Sequence, residues 1–378
     1  MPNIFSVAQH YGLPFILVIS VVVFVHEFGH YWVARRCGIR IMSFSIGFGR
    51  PIFGWTDKHG TRWQVAWLPL GGYVKMFGDA DPASSPDAAV KTMSDEEKKV
   101  AFFHQSVNKR MAVVVAGPAT NYIFAIIVLT VLFMFQGQPY SPPMIGSVQD
   151  GGVAARAGLM GGDKVISIDG TEVSRFEDIK RMVSMSVGAP ATFVIERNGA
   201  QQTLSVTPEM IDQTDNFGGK HRMGKIGIVS DKLGYKKWPP LKAVKQATLE
   251  TWTLSVDTLK AIGQMIIGTR GSEEIGGPLR IAELSGHVAE EGAWALIWFM
   301  AVISINLGLI NLFPVPLLDG GHLLFYSFEK FFGRPLPEKA QEVGMRIGLA
   351  MVVSLMVFAT WNDLVHLEVI SKIKSLFS

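Results

Sequence analysis

Residues 13–34 form an apolar stretch whose one formal charge is Glu27, set in the run Val23-Phe24-Val25-His26-Glu27-Phe28-Gly29-His30. Rising about 1.5 Å per residue as a helix, this stretch spans the roughly 30 Å hydrocarbon core of a bilayer. Backbone in lipid must satisfy its own hydrogen bonds, so the segment is expected to be helical. On a helix, His26 and His30 stand one turn apart on one face, the spacing at which two imidazoles grip one Zn²⁺ ion. Glu27 sits beside them, placed to take a proton from water. Ionisable groups inside a span are expensive and usually functional. The competing reading is a polar pair buried against neighbouring helices.

Composition supports a membrane protein. Of 378 residues, 48% are hydrophobic and 18% charged, against about a quarter charged in soluble domains. The single cysteine, Cys37, excludes an internal disulfide and a cysteine-based zinc site. Net charge is only +3, and basic residues flank apolar segments without interleaved aromatics, so no nucleic-acid partner is expected. The first apolar segment is too long for a cleaved signal peptide and carries the candidate site.

Three more apolar stretches, at about 111–135, 293–313 and 347–360, bring the expected spans to about four. Arg35, Arg36 and Arg40 follow the first; Lys98, Lys99, Lys109 and Arg110 precede the second; Lys330, Arg334, Lys339 and Arg346 separate the last two. Positive charge marks the cytoplasmic side, which leaves residues 136–292 and both termini outside. The weak Lys372/Lys374 tail is the one exception. His30 then lies about 9 Å, at helical rise, from the cytoplasmic flank.

A catalytic zinc usually takes three protein ligands. The third span runs into Asn311-Leu-Phe-Pro314-Val-Pro316-Leu-Leu-Asp319-Gly320-Gly321-His322. Its prolines must break the helix and its glycines allow an unwound turn. Irregular backbone at this depth is tolerated where it packs in protein or lines a polar cavity. Asp319 falls at the depth of the two histidines and is the leading candidate for the third ligand. The alternatives are that Asp319 only caps a helix starting near Gly320, or that His322 is the ligand in its place.

His-Glu-x-x-His in a first span, followed by Asn-x-x-Pro-x-Pro-x-x-Asp-Gly in a later one, resembles the site-2 protease family of intramembrane zinc proteases, closest to its bacterial RseP-type branch. The resemblance covers most of the chain. It implies His26, His30 and Asp319 as zinc ligands, Glu27 as catalytic acid/base, and Asn311, with Pro314 of the same motif, as holding substrate backbone. It also implies peptide-bond hydrolysis in single-span proteins of the bacterial inner membrane, such as anti-sigma factors or remnant signal peptides. A membrane scaffold with a structural metal site is the rival reading, and a metal transporter ranks behind both.

Residues 144–210, within a domain bounded at 142–212, read as a compact fold. Ile145–Val148, Lys164–Ile168, Thr192–Glu196 and Thr203–Val206 are strand-like, and Phe176–Ser186 reads as a helix. The order resembles a PDZ domain, which catches peptide ends by strand addition; a plain spacer fold is the alternative. RseP-type proteins carry two such domains, and this chain has room for one. From Leu241 to Ile266, apolar residues recur at helical spacing among charges. This is an amphipathic helix expected to lie on the outer lipid face, or else to pack on the PDZ-like domain. Residues 213–292 otherwise read as linker, with a turn at 275–279 before the third span.

Between the first two spans, Met42, Phe44, Ile46 and Phe48 alternate with small residues, and Trp63, Val65 and Trp67 alternate around Gln64 and Ala66. The polar turn 56–60 joins them, so residues 41–77 are expected to form a β-hairpin. The family resemblance implies that the hairpin dips into the membrane near the zinc; a surface hairpin is the alternative. Residues 78–110 complete the cytoplasmic segment as a linker, its first part, 78–94, rich in Asp, Ala, Ser and Pro. The fold class expected is a multi-pass α-helical membrane protein with a membrane-associated hairpin and one periplasmic PDZ-like α+β domain.

Overall fold

The computed structural model describes residues 8–79, 92–186, 188–214, 220–230, 234–268, 271 and 276–366. Most of the acidic linker and the Lys372/Lys374 tail lie outside them. Among the described residues, four helices are long and apolar enough to cross a membrane, which fits the four spans read from the sequence. The chain divides into two compact units, one made of residues up to 129 with 247–255 and 277–363, the other of the remainder.

In the first unit a short π-helical turn leads into α1, Leu13–Arg36. The buried residues of α1 (Val18, Val22, Val23, His26, Gly29, His30, Ala34) recur every three to four residues, so one stripe faces protein. Leu17, Phe28 and Trp32 lie exposed off that stripe, as a lipid-facing surface requires. Past the short α2, Asp95–Val100, comes α3, Val107–Phe135, which carries Pro118 in its interior.

Strands β1, Ile41–Thr56, and β2, Arg62–Met76, depart from the simple hairpin expected. Each bends and pairs twice. Residues 43–46 of β1 pair with 62–65 of β2 on one side and with 72–75 on the other, while 51–56 pair back onto 62–66. Two strands thus make a four-stepped sheet with the first half of β1 in its middle. The bends fall at Gly47 and Gly49, both with positive φ, before Pro51, and at Pro69-Leu-Gly71. A period-two pattern shows that a strand exists, not where it turns on itself. The last leg of β2 packs on α1: a Cβ at Gly72 would lie 2.8 Å from Val23 Cγ1 and 3.1 Å from Glu27 Cγ. Ile52 and Trp67, 67% and 74% exposed, mark an apolar surface at the far end.

In the order α4 to α10, the remaining helices are Val153–Arg156, Phe176–Met185, Pro240–Ile267, Pro278–Glu290, Ala293–Asn311, Asp319–Phe332 and Glu338–His366. Helix α7 occupies part of what read as linker. Its amide end is capped by Asp363 of α10, whose carboxylate accepts from Gly277, Leu279 and Arg280 N–H at 2.8–3.2 Å. That cap comes from 83 or more positions away, beyond the reach of a local sequence signal.

The second unit holds the α+β domain. Its four-stranded antiparallel sheet runs β6-β5-β7-β8, made of Thr171–Glu172, Lys164–Ile168, Ala191–Arg197 and Ala200–Val206. Helix α5 places Ile179 and Val183 against Phe193 and Ile195 in one core. The domain continues beyond residue 212. After the β9–β10 hairpin (Glu209–Thr214, Lys220–Lys225), Ile226 enters the core and β11, Ile228–Val229, pairs with β4, Ser147–Val148. The short pair β3–β12 joins Gln138–Pro139 to Tyr235–Lys236. Asp163 is 1% exposed and takes two 2.7 Å hydrogen bonds from Arg197. Burial alone would raise its carboxyl pKa, but the guanidinium and the Met160 N–H hold it below the usual carboxylate range.

Candidate metal centre

Helix α1 supplies His26 and His30 and the first residue of α9 supplies Asp319. Their facing ligand atoms form a small triangle: His26 Nε2 to His30 Nε2 3.2 Å, Asp319 Oδ2 to His26 Nε2 3.1 Å, and Oδ2 to His30 Nε2 3.4 Å. Among the described residues they are the one group of three or more His, Cys, Asp or Glu able to share an ion. His322 stands a turn further along α9 with its ring near Tyr326, outside that group. Asp319 does not cap its helix. It sits in the first turn after Leu318, and no side-chain cap is made there.

Two features fit this triangle to a metal. Donors about 2.0–2.2 Å from a tetrahedral Zn²⁺ stand about 3.3 Å apart, which is the spacing observed. The second is the placement of hydrogens. His30 Nδ1 lies 2.8 Å from the carbonyl oxygen of Val113, which can only accept, so neutral His30 keeps its hydrogen on Nδ1 and turns a lone pair inward from Nε2. Asp319 Oδ2 is buried and has no hydrogen-bond partner among the described residues. Lone pairs converging at such distances repel unless a cation lies among them.

The turn before Asp319 differs from expectation. Gly320 and Gly321 are helical, and are needed because added Cβ atoms would strike the Leu312, Phe313 and Val315 carbonyl oxygens. The left-handed residue is Leu317, at φ 88°, following Pro316 as in a type II turn where glycine is usual. Such strain costs of order 1–3 kcal/mol and gathers at functional sites. Asn311 ends α8, partly buried, and Pro314 is exposed in the link to α9. Glu27 lies one residue beyond His26, its side chain against Gly72 of β2.

Helix α3 contributes more than the sequence reading gave it. Gly29 of α1 packs against Thr120 and the Ala116 carbonyl, so α1 has no room for a side chain there. Gly117 faces the metal ligands themselves; a Cβ on it would lie 2.9 Å from His26 Cε1 and overlap the His30 ring. Pro118 removes one rung of the α3 ladder beside the Val113 carbonyl that orients His30. Asn121, fully buried in an apolar span, touches His26. A polar residue in that span was the available signal. Near the N-terminal end of α3, Arg110 binds Glu329 of α9 at 2.6 Å and lies over the Tyr326 ring, anchoring the helix that begins with Asp319.

With this geometry in place, comparison with known proteins decides the family. The profile of Peptidase family M50 matches residues 14–355.

The chain belongs to peptidase family M50.

It is 46% identical over 359 residues to "Putative zinc metalloprotease Atu1380" of Agrobacterium fabrum, covering 94% of this chain and 95% of that protein. It is 35% identical over 387 residues to "Metalloprotease MmpA" of Caulobacter vibrioides, covering 96% and 97%. Among solved structures, the PDZ domain of the SdrC-like protein from Listeria monocytogenes is similar over 24% of this chain and 90% of its own, with 20% identity and a TM-score of 0.20. The protein is thus a membrane metalloprotease of the site-2 protease family, and the family implies zinc.

Proposed function

We propose that this M50 peptidase cleaves single-span membrane proteins within or beside their membrane segments, in the inner membrane of a bacterium. The observation that carries the reading is the triangle of His26, His30 and Asp319 donors, built on apolar membrane-length helices with Glu27 alongside. Those three residues would hold Zn²⁺, which when bound supplies a Lewis acid that activates water and polarises a carbonyl. Glu27 is the general base and acid: its carboxylate takes the proton of the attacking water and returns it to the leaving amine. Asn311, at the end of α8, and Pro314, in the link to α9, are assigned to the substrate backbone.

A helical substrate hides its peptide bonds, and unwinding it in lipid exposes backbone groups at several kcal/mol each. The last leg of β2, beside Glu27, offers a strand on which an unwound segment can pair. The exposed apolar end of that sheet is assigned to the membrane. Charge flanks support a metal centre in the cytoplasmic half of the bilayer and a periplasmic α+β domain. There a groove of about 450 Å³, lined by Ile179, Val183, Met223, Ile226 and Ile228, suits an apolar peptide end, the PDZ-like role. Helix α6 exposes Leu241, Trp252 and Ile266, a face assigned to the lipid surface.

Reconstitution in lipid vesicles with a single-span substrate tests the proposal. Wild type should cleave, Glu27→Gln should keep zinc but lose turnover, and Asp319→Ala should lose both. If Glu27→Gln cleaves at the wild-type rate, the assignment of the base is wrong. If no variant differs from wild type, the metal centre has no part in cleavage.

A further inference from the structure

We infer that Asn121 is the positioning residue for His26, holding the ring so that Nε2 presents its lone pair to the metal. The inference rests on the metal reading above. The Asn121 Nδ2 stands 3.2 Å from His26 Nδ1, and Oδ1 is buried with no hydrogen-bond partner among the described residues. A carboxamide can turn either its nitrogen or its oxygen to a neighbour by half a rotation about Cβ–Cγ, with almost the same outline.

The two presentations have opposite consequences. With the nitrogen toward His26, Nδ1 must accept, the ring hydrogen sits on Nε2, and the ring can only donate to Asp319. With the oxygen toward His26, Nδ1–H donates to Oδ1 and Nε2 is free to ligate. The second presentation also gives the orphaned oxygen its partner. It is the arrangement already made at His30, where Val113 O plays the acceptor. One helix, α3, thereby fixes both ligand rings, Val113 from one side of Pro118 and Asn121 from the other.

Asn121 is itself held. Its backbone carbonyl accepts from the Ser304 hydroxyl of α8 at 3.0 Å, and its side chain has no exposure to water that could substitute for it. Such outer partners of metal-bound histidines contribute 10- to 100-fold in metal affinity.

The test uses full-length protein in detergent, with zinc affinity measured by chelator competition and ligand geometry by the visible spectrum of the Co²⁺-substituted form. Asn121→Leu, which keeps the outline but not the acceptor, should weaken zinc binding about 10- to 100-fold and shift the cobalt bands. Asn121→Asp restores an acceptor and should stay within a few-fold of wild type with an unshifted spectrum. Ile123→Leu, a change of outline on the exposed face of the same helix, should leave zinc affinity unchanged. Wild-type affinity in Asn121→Leu would overturn the inference, as would equal losses in all three variants. Should Asn121→Leu fail to fold, the cobalt spectrum of Asn121→Asp decides: unshifted bands support the inference and shifted ones overturn it. A wild-type protein that binds no zinc would instead defeat the metal reading on which this one stands.

Discussion

Gly117→Ala is a one-carbon change that should empty the metal centre while leaving the fold nearly as stable. The added Cβ would stand 2.9 Å from His26 Cε1 and closer still to the His30 ring, where carbon atoms prefer about 3.5–4.0 Å. Both rings must then shift by most of an ångström, and donor atoms now 3.1–3.4 Å apart lose their common centre. Losing the orientation of metal-bound imidazoles costs about 10- to 100-fold in metal affinity, or about 1.4–2.7 kcal/mol. Overpacking costs about 1–3 kcal/mol, while alanine gains about 0.8–1.0 kcal/mol over glycine in a helix; part of that gain is lost because Pro118 follows. Global stability should therefore fall by no more than about 2 kcal/mol. Gly263→Ala in α6, where a Cβ meets nothing within 4 Å, is the control and should keep its zinc. Zinc content after dialysis against a chelator, read beside thermal unfolding, measures both effects. If Gly117→Ala holds zinc like wild type, the two histidines do not meet α3 as described.

Arg110→Met should loosen α9 without touching a metal ligand. It strands Glu329 in a site where the pair is largely buried, so stability should drop by about 3 kcal/mol, seen as a lower thermal midpoint. Asp163→Asn tests the α+β domain. Its depressed carboxyl pKa means the stabilisation is complete above the unfolded value, near pH 4, and is lost as pH falls through the lower folded value. At pH 7 the variant should lose about 2 kcal/mol, a roughly 30-fold fall in amide protection of β5 and β7 by hydrogen exchange. The difference from wild type should shrink below about pH 4. A difference that persists unchanged at pH 3 would contradict the pairing with Arg197.

How far the sequence spoke depended on whether a signal was local. His26, Glu27 and His30 were legible because helical spacing and an apolar setting act within one turn. Asp319 was legible because proline and depth, set by flanking charge, bring distant segments level. The bend at Leu317 was not, since glycines three and four residues later looked better suited to it; they serve close packing instead. Gly117 was silent because a glycine in a uniformly apolar span has no period to break. Asn121 could have been flagged by the rule that picked out Glu27, a polar group where lipid makes it costly. The folded-back sheet and the β11 strand closing on β4 depend on pairings that alternation alone leaves undetermined.

Zinc K-edge absorption on the purified full-length protein probes the central assignment most directly. One zinc per chain, with two imidazole nitrogens and a carboxylate oxygen at about 2.0–2.2 Å, and with the oxygen contribution reduced in Asp319→Ala, is the predicted result. A sulfur neighbour, a single imidazole, or a first shell unchanged by Asp319→Ala would contradict it.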